Sequence, residues 1–88
     1  MKLMNYKNSI KLNDKISFVI GGLGLIGFES ALALADFDSK VIILDTNKKK
    51  LKSSSLKYKY LKNLFFEYFD VTDLENIEKN FLKLIKKY

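Results

Sequence analysis

Lys15–Gly27 reads KISFVIGGLGLIG, and this stretch decides the fold. Ile16 to Ile20 is a short apolar run with a β-branched bias, the composition of a buried strand. Gly21, Gly22, Gly24 and Gly27 follow at once, and they are the only glycines in the chain. Beyond them, Leu25, Ile26, Phe28, Ala31, Leu32, Leu34 and Ala35 predict a helix from Leu25 to about Ala35. A strand that turns through glycines straight into a helix is a phosphate cradle. Gly21, Gly22 and Gly24 allow a tight turn and close backbone approach to an anion. A helix starting near Leu25 aims the free N–H groups of Leu25, Ile26 and Gly27, and the positive end of its dipole, at that anion. Gly27 is expected to let the helix pack closely against the strand.

Downstream, Asp36–Ser39 is a turn without glycine or proline. Val41–Leu44 is a second apolar strand, and Asp45 ends it. Strand, glycine turn, helix, strand and carboxylate within about thirty residues make the βαβ unit that binds dinucleotides. Asp45 is the acid expected to accept hydrogen bonds from the adenosine ribose. Its charge repels a 2′-phosphate, so NAD is expected over NADP. The Lys48-Lys49-Lys50 run is read as solvated surface, with 2′-phosphate binding as its alternative role.

Strand 2 shows no polar alternation, the mark of a strand covered on both faces in a parallel sheet. Thr46 or Asn47 is placed to cap a second helix over Lys48–Leu61, with Leu51, Leu56, Tyr60 and Leu61 as its inner face. Leu64–Phe69 is an aromatic third strand interrupted only by Glu67. Thr72 and Glu75 have capping-box spacing, which predicts a last helix over Asp73–Lys87. Leu74, Ile77, Phe81, Leu84 and Ile85 form its apolar stripe. At the other end, Ile10 and Leu12 flank Lys11 and suggest a short extended piece. The fold class is α/β: a Rossmann-like arrangement of three parallel strands in the order 3-2-1, connected β-α-β-α-β-α.

The 88 residues bound the answer to one small domain, here residues 1–88. Without cysteine there is no disulfide frame or thiolate chemistry, and without histidine the commonest general base and metal ligand is missing. No metal site is expected. The N-terminus has no apolar core of a signal peptide, and no apolar run approaches the roughly 20 residues of a membrane span. A cytoplasmic location is expected, with no membrane partner. The formal charge is +6, carried by lysine alone. Nucleic-acid readers favour arginine forks, so this charge does not predict nucleic-acid binding.

Taken together, these blocks resemble the short-chain dehydrogenase/reductase family. Leu12-Asn13-Asp14-Lys15 through Gly27 is similar to its opening strand and glycine turn. Lys40 to Asp45 is similar to its second strand and ribose-binding acid. Phe69-Asp70-Val71-Thr72-Asp73 is similar to its third strand end, and the resemblance implies that Asp70 and Val71 line an adenine pocket. Ile20 stands where the family usually has threonine. The Gly21-x-x-Gly24-x-x-Gly27 spacing matches the extended, sugar-nucleotide-modifying branch, whereas the Asp70–Asp73 block resembles the single-domain branch.

The resemblance implies hydride transfer between nicotinamide and an alcohol or ketone in an intact enzyme. The family's catalytic serine and Tyr-x-x-x-Lys pair follow strand 4, so no catalytic residue is expected here. Tyr58 and Lys62 have that spacing but fall between strands 2 and 3. The chain is therefore read as the cofactor-binding portion of such an enzyme. The alternatives are a free-standing NAD-binding module, an extended-branch epimerase or dehydratase, or a nonfunctional remnant. Expected partners are the dinucleotide, a C-terminal half, or a second copy through the edge of strand 1. One terminal helix looks too small to cover the second face of three strands, so a stable monomer is not expected.

Overall fold

A computed structural model describes residues 12–88. Three strands alternate with three helices: β1 (Ile16–Ile20), α1 (Leu25–Asp36), β2 (Lys40–Asp45), α2 (Lys48–Lys57), β3 (Leu64–Tyr68) and α3 (Ile77–Lys87). The strands form one parallel sheet in the order β1-β2-β3. Its register pairs Ile16 with Lys40 and Val41 with Leu64. Ile10 lies outside the described residues, so the expected extended piece is not described.

The missing alternation in β2 is explained by cover on both faces. Val41 and Ile43 point into one cluster with Ala31 of α1, Leu51 of α2 and Leu64. Ile42 and Leu44 point the other way, into a cluster with Phe69 and Leu84 of α3. All four β2 residues are at most 1% exposed. Burial of each such side chain is worth roughly 1.5–3 kcal/mol, so β2 anchors the domain. Helices α1 and α2 thus share one face of the sheet, and α3 covers the other.

Helix α3 covers more than its expected stripe allowed. Phe81 packs edge-on against Phe18 of β1, with centroids 5.1 Å apart, and Tyr88, at the C-cap of α3, packs at a tilt against Phe65 of β3 at 5.3 Å. The shortfall is confined to β1, where Ile16 is 46% and Ile20 61% exposed.

Three element boundaries differ from expectation. α3 begins at Ile77 rather than Asp73, because Thr72 does not cap it. The Thr72 hydroxyl and N–H both donate to Asp70, at 2.6 and 2.9 Å. The chain then turns through Thr72–Asn76, and Leu74 is left outside, 80% exposed. α2 ends at Lys57 rather than Leu61, so Leu56 and Tyr60 face outward and Tyr58 turns in beside Leu61. β3 stops one residue short, at Tyr68. Of the two residues expected to cap α2, Asn47 does so: its side chain accepts the Lys50 N–H at 3.0 Å.

The turn without glycine between α1 and β2 works because Asp38 takes the left-handed conformation, with φ +72°. Asp tolerates that region better than most residues. Beneath it, Ser39 is fully buried and bonds Ser17 hydroxyl to hydroxyl at 2.7 Å. Asn63 donates to the carbonyls of Ala35 and Ser39 at 2.9 and 2.8 Å. This polar network ties the amino ends of the strands together, away from the glycine turn.

Candidate functional site

The four glycines do three different jobs. Gly21 has φ +70°, where a side chain costs about 1–2 kcal/mol. A Cβ on Gly22 would sit 2.6 Å from Ile43 Cγ2, and one on Gly27 would strike the Gly21 carbonyl oxygen. These two glycines let α1 approach the turn and the turn approach β2. Gly24 differs. Its backbone is extended (φ −69°, ψ 164°), and a Cβ there would meet only the Gly21 carbonyl oxygen, at 3.3 Å. It is exposed, at the N-cap of α1.

No side chain caps α1, and no acidic residue lies in its first turn. The first-turn positions Leu25, Ile26 and Gly27 carry N–H groups without an intrahelical partner. Leu25 and Ile26 are 85% and 81% exposed, an unusual place for two large apolar side chains. An uncapped helix start beside an exposed glycine provides the donors and field an anion needs.

Asp45 is tied into the same turn. Its Oδ2 accepts the Leu23 N–H at 3.2 Å, and its Oδ1 accepts those of Thr46 at 2.8 Å and Asn47 at 3.3 Å. A carboxylate offers about four acceptor positions, so one remains, on Oδ2, for an added hydroxyl. Sequence reasoning placed Asp45 correctly at the strand end but missed its bond to the glycine turn. It also missed Lys50, whose Nζ donates to the Leu23 carbonyl at 3.1 Å. The Leu23 peptide is therefore held from both sides.

Another lysine of the run is also engaged. Lys48 lies over the Tyr68 ring, with Nζ 4.8 Å from the centroid.

Across the carboxyl ends of the strands, a groove of about 420 Å³ is lined by Ile20, Gly21, Asp45, Phe69, Asp70 and Val71, among others. The structure thus brings Gly21, Asp45, Asp70 and Val71 to one opening. Asp70 spends Oδ1 on the Thr72 hydroxyl and N–H, and those bonds, the hydroxyl's first, hold its carboxyl below the usual range. Neither Tyr58 nor Lys62 lines this groove. The Tyr58 ring is packed at 5.0 Å against Phe28, between α1 and α2, and Tyr58 caps the end of α2.

Comparison with solved structures fits this geometry. A 2-keto-3-deoxy-D-gluconate dehydrogenase from Streptococcus agalactiae superposes with a TM-score of 0.75 at 24% identity, covering 94% of this chain and 32% of that one. The chain has the short-chain dehydrogenase fold. A protein assigned as a short chain dehydrogenase from Escherichia coli CFT073 matches at TM-score 0.73 and 25% identity, over 90% of this chain and 36% of that one. The MalC reductase/Diels-Alderase of Malbranchea aurantiaca matches at 0.72 and 22%, over 93% and 34%. The chain therefore spans about a third of the length of these dehydrogenase-fold structures. No family profile and no curated protein matches the sequence. Among the described residues, no helix is long and apolar enough to cross a membrane.

Proposed function

We propose that this chain binds the adenosine and pyrophosphate half of a nicotinamide dinucleotide, as the cofactor-binding portion of a short-chain dehydrogenase/reductase-type oxidoreductase. The observation that supports it most is a juxtaposition. The uncapped start of α1, the exposed Gly24, and the groove lined by Gly21, Asp45, Asp70 and Val71 all lie at the carboxyl end of the sheet. That is where ligands bind in open α/β sheets.

In this reading the N–H groups of Leu25, Ile26 and Gly27 face the pyrophosphate. Gly22 and Gly27 bring the helix close to the turn. The free Oδ2 position of Asp45 accepts one ribose hydroxyl, and Asp70 and Val71 flank the adenine. The bound nicotinamide supplies the hydride chemistry. The residues present here bind and orient the other end of the molecule.

NAD is favoured over NADP for two reasons. Asp45 keeps a carboxylate where a 2′-phosphate would fall. Lys48 and Lys50, which would have to answer that phosphate, are engaged with the Tyr68 ring and the Leu23 carbonyl.

Calorimetric titration of the chain with NAD, NADP and ADP-ribose tests the proposal. Expected are binding of NAD and of ADP-ribose with similar affinity, and weaker binding of NADP. Absence of binding by a folded chain overturns it.

A further inference from the structure

The surplus charge of the chain is concentrated in one place. Residues 48–62, α2 and the turns that follow it, hold seven of the sixteen lysines and no acid. In the rest of the chain nine lysines stand against ten acids, so the whole formal charge of +6 comes from this segment. All seven of its lysines are exposed. Lys48, Lys50 and Lys57 turn back onto the Tyr68 ring, the Leu23 carbonyl and the Tyr58 ring. The side chains of Lys49, Lys52, Lys59 and Lys62 have no partner among the described residues.

Two apolar side chains stand among these lysines. Leu51 is buried against Val41, Ile43 and Leu64 of the sheet. Helical spacing therefore puts Lys49, Ser53 and Leu56 on the opposite side of α2, flanked by Lys52 and Lys57. Leu56 is 62% exposed, and Tyr60, just beyond the helix, is 67% exposed. This face lies over β2 and β3. In doubly wound sheets, ordered 3-2-1-4, further strands add beside β1, on the far side from α2.

We propose that the outward face of α2 and the turn after it form a contact surface for a membrane that carries anionic lipids. Charge complementarity selects an anionic partner, because no carboxylate of the segment itself answers its lysines. Two features favour a lipid surface over a nucleic acid. The chain has no arginine, and lysine is a point charge without the planar fork that reads phosphates and bases in fixed geometry. A layer of lipid headgroups asks for no such fork. The second feature is Leu56. An aliphatic side chain gains nothing on a phosphodiester backbone, but it gains by entering the boundary between headgroups and acyl chains. Tyr60 suits the same boundary, with an apolar ring and a polar tip. The lysine stems lie along that boundary and lift their ammonium groups to the headgroups. Such a contact needs no spanning helix, so the lack of a long apolar run does not count against it. Each lysine near an anionic surface strengthens binding roughly five-fold, and salt screens this contribution.

Co-sedimentation of the 88-residue chain with vesicles is the first test, using phosphatidylcholine alone and with about 30% phosphatidylserine. Binding is expected on the anionic vesicles only, and it should fall as salt rises. The double variant Lys49→Gln/Lys52→Gln should weaken it roughly 25-fold. Lys79→Gln/Lys83→Gln removes the same charge from α3 and should weaken it less than about three-fold. All four lysines are exposed, so neither pair disturbs the packing. The chain has no tryptophan, so Tyr60→Trp adds a single reporter, whose emission should shift to the blue on anionic vesicles. Four outcomes overturn the proposal. They are no binding to anionic vesicles, equal losses in the two lysine pairs, an unshifted reporter on bound chain, and tighter binding to single-stranded RNA than to vesicles at the same salt.

Discussion

The amide of Leu23 donates to the Asp45 carboxylate across 3.2 Å, joining the glycine turn to the end of β2. Leu23 itself is buried, 6% exposed, in the cluster beneath α1 and α2. With Lys50 on its carbonyl, this peptide has its side chain, N–H and C=O all fixed. A cradle held this rigidly loses little conformational freedom when it meets an anion, which favours affinity. It also means that Asp45 both shapes the turn and faces the groove.

Asp45→Ser separates these roles by two measurements. Loss of three backbone acceptor bonds should cost about 1–2 kcal/mol of stability, read from a denaturant midpoint. Loss of the charge should weaken NAD and relieve the repulsion of NADP, so the preference narrows or reverses. Should the wild-type chain already prefer NADP in the titration, the ribose assignment of Asp45 fails, and Lys48 becomes the residue to change.

The glycines predict opposite outcomes at positions three residues apart. Gly24 has ordinary extended backbone and a Cβ there would meet only the Gly21 carbonyl oxygen, at 3.3 Å, so Gly24→Val should still fold, with a modestly lowered melting temperature from that contact and the poorer N-cap. It should still weaken NAD by at least ~10-fold, about 1.4 kcal/mol, by standing where the pyrophosphate approaches. Gly27→Ala should do the reverse and lower stability, because its Cβ strikes the Gly21 carbonyl. A folded Gly24→Val variant with unchanged affinity removes the cradle assignment.

What was legible in the sequence followed from strong local rules. Four glycines in seven positions mark a tight turn that other residues could not make, the unbroken Val41–Leu44 run marks a strand covered on both faces, and both elements lie where those rules put them. The start of α3 was misjudged because Thr72 and Glu75 satisfy a spacing rule that ignores Asp70. The Asp70 side chain reaches Thr72 first, closes a local turn and spends the would-be cap. Leu56 and Tyr60 were misjudged because α2 is lysine- and serine-rich, so its apolar pattern was too sparse to fix a face. The Leu23 clamp and the Ser17–Ser39–Asn63 network join residues more than twenty apart, and no local rule reports such contacts.

Tyr58 and Lys62 carry the spacing of a catalytic pair, and the structure gives Tyr58 another task. Its ring packs on Phe28 in the seam between α1 and α2. No dehydrogenase turnover is expected from the 88-residue chain with a panel of alcohols and ketones, followed by nicotinamide absorbance. Tyr58→Phe keeps the packing and should leave NAD affinity unchanged, whereas Tyr58→Ala should destabilise by about 3 kcal/mol. Cofactor-dependent turnover that disappeared in Tyr58→Phe would restore the pair to a catalytic role.

The end of α3 is latched to β3 by a cluster whose strength depends on pH. Glu67 accepts from Lys87 at 2.6 Å and from the Tyr88 hydroxyl on the same oxygen. Burial alone would raise the Glu67 carboxyl. The bonds from Lys87 and Tyr88, with the Lys87 charge, outweigh it and hold the group below its ordinary value of 4.5. Burial, then the bond to Glu67 and its charge, push the Tyr88 phenol above its ordinary 10.0. The signs follow from linkage. A lowered carboxyl stabilises fully above the unfolded value of 4.5, and this is lost as pH falls through the lower folded value. A raised phenol stabilises fully below 10.0, and this is lost as pH rises through the higher folded value. The latch is therefore complete between these two limits. Lys87 is 60% exposed, so its ion pair adds little, and most of the effect belongs to the half-buried Tyr88 bond. Glu67→Gln should cost about 1 kcal/mol near neutral pH, measured by urea unfolding at a series of pH values. The wild-type and variant curves should converge in acid and draw together again in strong base. A difference that stays constant from acid to base would show that Glu67 acts through packing alone and that Tyr88 holds the sheet without it.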